Sequence, residues 1–217
     1  MSLARLKISY RLMLIVIGTI IGIVAVGGYG LYEIRLNLFE DRKVKTEHVV
    51  DTATSVLEHY AAEEKAGRMS RADAQEAAKK VITALRYGDN EYFYVETMDG
   101  ILVAHGTNQK IVGQDRKGQL DANGKDYTIE MIAAARKGGG FVEYWYPRPG
   151  QTKPSPKLTY VKPFQTWDWF VVTGIYVDDV DAIFMDLLWI FCGVALIILL
   201  LVVGASFVIG RGITRPL

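Results

Sequence analysis

Two runs of this sequence, residues 12–32 and 187–210, contain no charged residue, and a long polar segment separates them. An apolar run of about 20 residues can cross a bilayer as an α-helix, because the hydrocarbon core is about 30 Å thick and each helical residue adds about 1.5 Å. The sequence therefore predicts a transmembrane helix at 12–32, a second one at 187–210, and one folded domain, residues 33–186, on one side of the membrane.

The first run has a competing interpretation as the apolar region of a cleaved signal peptide. Such regions measure about 7–15 residues and are followed by a cleavage site of small residues. This run continues through Ile23 to Leu31 without such a site in a suitable position. A retained membrane anchor therefore explains the run better.

The charges beside the two runs predict the orientation. Arg5, Lys7 and Arg11 precede the first run, Arg211 and Arg215 follow the second, and acidic residues lie at the inner ends. Lys and Arg are enriched on the cytoplasmic side of membrane proteins. We expect residues 1–11 and 211–217 in the cytoplasm and the domain outside, in the periplasm of a bacterial inner membrane.

Composition and motifs argue against nucleic-acid binding and against catalysis. The net charge is +1, no basic stripe with interleaved aromatic residues is present, and the one cysteine lies in the second apolar run. The sequence contains no G-x-S-x-G, P-loop or G-x-G-x-x-G motif and no His/Cys cluster with metal-ligand spacing. We expect no catalytic residue, metal or cofactor. For the alternative of a membrane-tethered hydrolase, Ser155 and His105 are the only candidates for a nucleophile and a base, and neither lies in a catalytic motif.

Between the runs, the pattern predicts helices first and strands later. Residues 34–66 form a helix that Gly67 ends, and Ser70, with Asp73 three residues on, caps a second helix to about Leu85. A short helix covers 126–137, three glycines stop it, and a last helix starts near Asp178. Strands are predicted at 92–95, 101–104, 141–146, 158–162 and 170–176, the first two joined by an Asp-Gly turn. The expected fold class is α+β with an antiparallel sheet.

This order of elements, with several short motifs, resembles a single-Cache (sCache) extracellular sensor domain over residues 36–186. The residues that carry the resemblance are LRY at 85–87, YFYV at 92–95, DG at 99–100, His105, GGGFV at 138–142, Tyr144, PKL at 156–158, YVK at 160–162, WDW at 167–169 and GIYV at 174–177. Residues 213–217, ITRPL, resemble the opening of a HAMP linker, the adaptor that follows the last span of chemoreceptors and sensor kinases.

The resemblance implies the sensory half of a bacterial methyl-accepting chemotaxis protein, or of a related sensor kinase or cyclase. It implies a PAS-like, five-stranded antiparallel sheet packed on a long N-terminal helix. It also implies a small organic acid such as acetate, propionate, pyruvate or lactate as the ligand. The output module would follow the HAMP segment, and we expect a homodimer formed through the N-terminal helices.

A buried carboxylate needs a cation and several hydrogen-bond donors, and three residues of the predicted hairpin supply donors. A two-residue Asp-Gly turn places Tyr94 opposite His105, and Tyr92 projects from the same face because strand side chains alternate. The competing interpretation makes both tyrosines core residues and His105 a polar residue at the sheet edge.

The later strands and the second helix add further candidates. Tyr144 and Tyr146 share one face of their strand, while Tyr160 and Lys162 belong together on the next. Lys162 is unusual in an apolar and aromatic strand, and Lys157 is the competing lysine. Arg86, at the end of the second helix, could grip a carboxylate with its planar fork or simply complement the helix dipole.

The preferred function is therefore a transmembrane receptor that binds a small carboxylate outside and passes the signal through the second span. The first alternative is a sensor of the same fold that responds to a partner protein or a membrane state. A small or dry aromatic cavity would favour that alternative.

Overall fold

The computed structural model describes residues 8–88 and 90–214, and within them the chain forms four α-helices and seven strands. The helices are α1 (Ile8–Lys65), α2 (Arg71–Ala84), α3 (Tyr127–Arg136) and α4 (Asp178–Thr214). The strands are β1 (Arg86–Tyr87), β2 (Glu91–Tyr92), β3 (Tyr94–Thr97), β4 (Leu102–His105), β5 (Gly140–Pro147), β6 (Pro154–Phe164) and β7 (Trp169–Tyr176). The basic residues Arg5, Lys7 and Arg215 and the end of the HAMP-like segment lie outside the described residues.

The chain divides into two compact units, and residues 39–178 form one of them. The other contains the apolar parts of α1 and α4, which are long and apolar enough to cross a membrane by length and composition. Within that unit the ring of Phe191 occupies the space that a Cβ atom on Gly27 would need. Small residues commonly permit such close approach between membrane helices.

The domain unit, residues 39–178, begins with helices whose ends follow local sequence rules. The chain beyond α1 turns at Gly67, whose φ of +69° suits glycine. The Ser70 side chain caps α2 by accepting a hydrogen bond from the Asp73 amide at 3.1 Å. Asp126 caps α3 in the same way, with the Ile129 amide as donor at 3.1 Å. The predicted starts of these helices are confirmed.

The five long strands form an antiparallel sheet in the order β4-β3-β7-β6-β5, so the predicted α+β class and five-stranded sheet are confirmed. Two local features differ from expectation. β1 and β2 form a separate two-stranded hairpin, in which Tyr92 pairs with Arg86, so the predicted strand 92–95 is divided between β2 and β3. β6 begins at Pro154, well before the predicted start at 158, because it pairs with the end of β5 along its first residues.

The β3–β4 hairpin has the predicted pairing but a different turn. The Thr97 amide donates to the Ile101 carbonyl at 2.9 Å, so three residues, not two, form the loop. A β-bulge between Val95 and Glu96 absorbs the extra residue, and Tyr94 lies opposite His105 as predicted.

The sheet has a core on each face. One core lies against α1 and α2, where Leu57 and Ile82 pack in a cluster with Val171 of β7. The other lies against α3, where Met131 packs in a cluster with Phe170, also of β7. Alternation along β7 thus sends neighbouring side chains into different cores. The candidate site lies on the α3 face.

Candidate functional site

The α3 face of the sheet contains a cavity with an aromatic and polar lining. Its volume is about 20 Å³. The residues that line it are Tyr92, Tyr94, Glu96, Leu102, His105, Ile111, Arg116, Tyr127, Tyr144 and Tyr146. Small-molecule sites combine an apolar wall with a few convergent polar groups, and this lining has that character.

A two-residue side-chain repeat along extended backbone explains why residues 92–96 contribute three of these side chains. Tyr92 at the end of β2 and Tyr94 and Glu96 on β3 are two residues apart, and all three line the cavity. The His105 ring contacts both tyrosine rings: its centroid is 4.8 Å from that of Tyr92, in a tilted arrangement, and 5.7 Å from that of Tyr94, in a stacked one.

His105 is held as a neutral ring of defined tautomer. Its Nδ1 accepts hydrogen bonds from the amides of Thr107 at 3.2 Å and Asn108 at 3.0 Å. Burial, together with the nearby charges of Lys157 and Arg116, lowers the pKa of His105 to about 4. A neutral ring that accepts at Nδ1 carries its proton on Nε2, so His105 is a hydrogen-bond donor through that atom.

Four tyrosines form a wall of the cavity between the sheet and α3. The hydroxyls of Tyr94 and Tyr144 are 3.2 Å apart, and the Tyr127 ring stacks on Tyr144 with centroids 4.5 Å apart. Tyr146 completes this wall in an edge-on contact with Tyr144 at 5.9 Å. Burial raises the pKa of all four groups, so they stay protonated and able to donate.

Arg116 is the cation in the cavity wall. It lies in the segment between β4 and α3, which is fixed to the hairpin by bonds from the Arg116 amide to Gly100 (2.8 Å) and from the Leu102 amide to Gln114 (3.0 Å). The guanidinium is buried and donates to the Tyr127 hydroxyl at 2.8 Å. Burial by itself disfavours the charge, but the tyrosines and Glu96 outweigh it and raise the pKa of Arg116. The group is therefore a permanent cation.

A second cation, Lys157, lies directly behind this wall. It is 1% exposed, and its Nζ is 3.2 Å from the Tyr92 hydroxyl. The ammonium also lies over the rings of Tyr92, Tyr176 and Tyr146, at 4.5, 5.1 and 5.9 Å from their centroids. Burial lowers the pKa of Lys157 to about 8, so the group is mostly charged at neutral pH.

Glu96 is the acid of the cavity, and it is 2% exposed. Burial raises its pKa to about 8, against the opposing effect of Arg116. Within residues 8–88 and 90–214, its Oε2 atom has no hydrogen-bond partner.

The structure brings five of the eight sequence candidates to this cavity and leaves three outside it. The five are Tyr92, Tyr94, His105, Tyr144 and Tyr146. The other three residues make contacts within the fold. Arg86 donates hydrogen bonds to the carbonyls of Thr83, Leu85 and Gly106. The Tyr160 hydroxyl donates to Glu47 at 3.1 Å, and Lys162 pairs with Asp51 at 2.6 Å.

Three polar lining residues, Glu96, Arg116 and Tyr127, are absent from the sequence candidates. Glu96 had a usable signal, because it continues the two-residue alternation of Tyr92 and Tyr94. Arg116 had none, since its segment reads as a loop rich in Gly, Asp and Asn. Tyr127 is the first residue of α3, directly after the Asp126 cap. The sequence alone does not indicate which part of the fold a side chain at this position contacts.

The cavity is small for a carboxylate of two to four carbons. A space of about 10–15 Å³ holds one water, so about 20 Å³ is close to the size of a single water molecule. The small size agrees with the partner-protein alternative, whereas the buried cation and the donors agree with a small anion. In the described part of the chain, no group of three or more His, Cys, Asp or Glu residues has a geometry that could hold a metal ion.

Comparison with known families and proteins gives matches across the chain. The family model described as Single Cache domain 2 matches residues 38–189. The methyl-accepting chemotaxis protein McpP of Pseudomonas putida is 37% identical over 221 residues, which cover 100% of this chain and 40% of McpP. The sensor histidine kinase MctS of Rhizobium johnstonii is 31% identical over 152 residues, 68% of this chain and 32% of MctS.

A solved structure matches the domain unit as well. It is a Cache chemosensory domain described as the structural basis for carboxylic acid recognition. The identity is 40%, the match covers 65% of this chain and 97% of that one, and the TM-score is 0.63. The chain thus spans well under half the length of the two curated relatives, but it contains nearly the whole of the solved domain.

Proposed function

Because the chain belongs to the Single Cache domain 2 family, we propose that it is the sensory part of a chemoreceptor and that its cavity binds a carboxylate of two to four carbons. The two apolar helices and the chemoreceptor relatives identify a membrane-spanning protein with a periplasmic sensor domain. The ligand of the chain, its signalling output and its orientation in the membrane are what we propose.

The buried guanidinium of Arg116 is the observation that carries the proposal. A charged group removed from water is costly unless an opposite charge meets it, and a carboxylate can accept two parallel bonds from the guanidinium fork. His105 and the tyrosine hydroxyls surround the same space with further donors. A small carboxylate fits this chemistry, and the solved relative is described as recognising carboxylic acids.

The size of the cavity adds a condition to the proposal. Since about 20 Å³ holds roughly one water, the lining must separate when an acid enters. A ligand that binds the widened arrangement better than the narrow one shifts the population toward it. β7 lies in the middle of the sheet, and Val177 alone separates it from α4. Movement of β7 would therefore reach the start of α4 through the chain itself.

The proposed arrangement in the membrane has both termini in the cytoplasm, as the basic flanks predict. α4 would continue into a HAMP linker and a signalling module, and two copies would associate through α1. In this role the chain binds and signals without catalysing a reaction. A chemotaxis output is the first choice because the match to McpP covers the whole chain. A kinase output is the second, supported by the match to MctS.

Calorimetric titration of the chain in lipid nanodiscs with acetate, propionate, pyruvate and lactate would test the ligand. At least one acid should bind, and Arg116→Gln should weaken its binding tenfold or more, because the anion loses its cation. Lys162→Met is the matched control, since it removes a cation outside the cavity and should leave affinity unchanged.

Two results would contradict the proposal. If none of the four acids binds, the cavity does not recognise small carboxylates, and the partner-protein alternative gains support. If Arg116→Gln binds as tightly as the wild type while Lys162→Met does not, the recognition site lies elsewhere. Circular dichroism of each variant would establish that the domain is folded.

A further inference from the structure

Glu96 is an acidic side chain in the wall of a cavity that we assign to an anion. An ionised carboxylate there would repel the ligand and compete with it for Arg116. We propose that Glu96 contacts the ligand as a protonated acid and donates its O–H to the bound monocarboxylate, so that binding requires a proton on this residue. The inference rests on the proposed function and deepens it by adding a specificity-determining residue.

The strands on either side of Glu96 offer its side chain no polar register neighbour. On β7 its register neighbour is Phe170, and on β4 it is Leu102, both apolar. Its Oε2 atom has no bond within residues 8–88 and 90–214, although the side chain is 2% exposed. An unsatisfied buried polar atom is costly. Because Glu96 lines the cavity, a molecule that enters the cavity can supply the missing partner.

Burial favours the protonated form of Glu96 and raises its pKa to about 8. The charge of Arg116 has the largest opposing effect, and Asp115 and Asp126 add smaller effects in the same direction as burial. Arg116 and Asp115 lie in the segment before α3, and Asp126 lies at its start. The other titratable groups that face the cavity are Tyr92 on β2, Tyr94 on β3, His105 on β4, Tyr127 on α3, and Tyr144 and Tyr146 on β5.

A protonated Glu96 changes what the cavity selects. With the acid neutral, the charge of Arg116 remains to pair with one carboxylate, and the acid O–H adds a donor. A dicarboxylate would bring a second negative charge, but Arg116 is the one charged cation among the described residues of the lining, which do not include Lys157. The site should therefore prefer monocarboxylates.

Ionisation of Glu96 predicts a specific pH dependence of binding. Affinity should be nearly constant below about pH 7 and should be about tenfold lower at about pH 9, since only the protonated form binds. Lys157 also loses its charge near pH 8, so the wild-type profile alone cannot separate the two groups. Glu96→Gln separates them, because an amide N–H donates like the acid but does not ionise.

The test is titration of the full chain in nanodiscs at about pH 6 and about pH 9, with the acid of the four that binds best. The ratio of the wild-type Kd to the Glu96→Gln Kd should rise about tenfold between these pH values. Glu58→Gln, which removes an exposed carboxylate on α1, is the matched control and should follow the wild type.

The outcomes separate the inference from the proposed function. Equal pH dependence in the wild type and in Glu96→Gln overturns the inference alone, as does loss of binding in Glu96→Gln at about pH 6. If the wild type binds none of the four acids at either pH, the proposed function fails and the inference fails with it.

Infrared difference spectroscopy tests the protonation state without a ligand. At about pH 7 the spectrum of wild type minus Glu96→Gln should contain the C=O band of a protonated carboxyl group, and the band should vanish at about pH 10. A carboxylate signal in its place at about pH 7 would overturn the inference.

Discussion

Lys157 permits a quantitative prediction, because a fully buried lysine costs stability in a defined pH range. Its pKa falls from 10.5 to about 8 on folding, chiefly through burial. Above pH 10.5 the lysine is neutral in both states. Between 10.5 and 8 only the unfolded chain binds the proton, so the free energy of unfolding decreases as the pH falls. Below about 8 both states are protonated, and the full cost, about 3 kcal/mol, remains.

Lys157→Met should remove this cost while keeping a side chain of similar length. The substitution also removes the contacts of the ammonium with the rings around it, worth about 1–2 kcal/mol. The expected net effect is a gain of about 1–2 kcal/mol in the free energy of unfolding at about pH 7. At about pH 10 the native lysine is neutral and the remaining cost is less than about 1 kcal/mol, so the gain should be smaller than at about pH 7.

Urea unfolding of residues 39–178 at about pH 7 and about pH 10 would measure both values. The solved Cache domain, 97% of which matches this chain, supports the use of the domain alone. Lys162→Met is the matched control, since its pair with Asp51 is partly exposed and should give no such pH-dependent gain. A Lys157→Met domain that is less stable than the wild type at about pH 7, or equally stabilised at both pH values, would refute the reasoning.

Three further substitutions test the packing of the domain by urea unfolding. Gly139→Ala should lower the free energy of unfolding by about 1–3 kcal/mol, since φ at Gly139 is +114° and a Cβ atom would lie 2.8 Å from the Val161 carbonyl oxygen. An unchanged free energy of unfolding would mean that the backbone relaxes at this position. Asp126→Ala should cost about 1 kcal/mol through loss of the α3 cap, with a smaller loss in Asp126→Asn as the comparison. Lys162→Met should change stability by less than about 1 kcal/mol, and a larger loss would show that its pair with Asp51 is stronger than exposed pairs usually are.

Local sequence rules account for most of the elements of this fold. The helix starts at Ser70 and Asp126 depend on bonds to amides three residues away, and the turn at Gly67 depends on one backbone conformation. The pairing of Tyr94 with His105 was also predictable, because the hairpin connects neighbouring strands. The bulge was not, and it changed the turn without changing that pair.

Features that depend on distant segments were not predictable in the same way. Alternation separates Lys157 from Lys162 on opposite faces of β6, but it does not reveal which face meets α1. In the structure Lys162 lies on the α1 face, where it pairs with Asp51, and Lys157 lies on the cavity side. Arg116 reaches the cavity because its segment bonds back to Gly100, a contact that no local pattern encodes.

The side chains of each strand alternate between two faces, which separates those near the cavity from those that contact α1. On β6, Lys157 lies on the cavity side, while Tyr160 and Lys162 bond to α1 on the other face. On β3, Tyr94 lies on the cavity side and Val95 on the α1 face. The lining of the cavity can therefore change through substitutions at every second position while the helix contacts stay intact. A descendant could acquire a differently lined cavity without rebuilding the contacts between its sheet and α1.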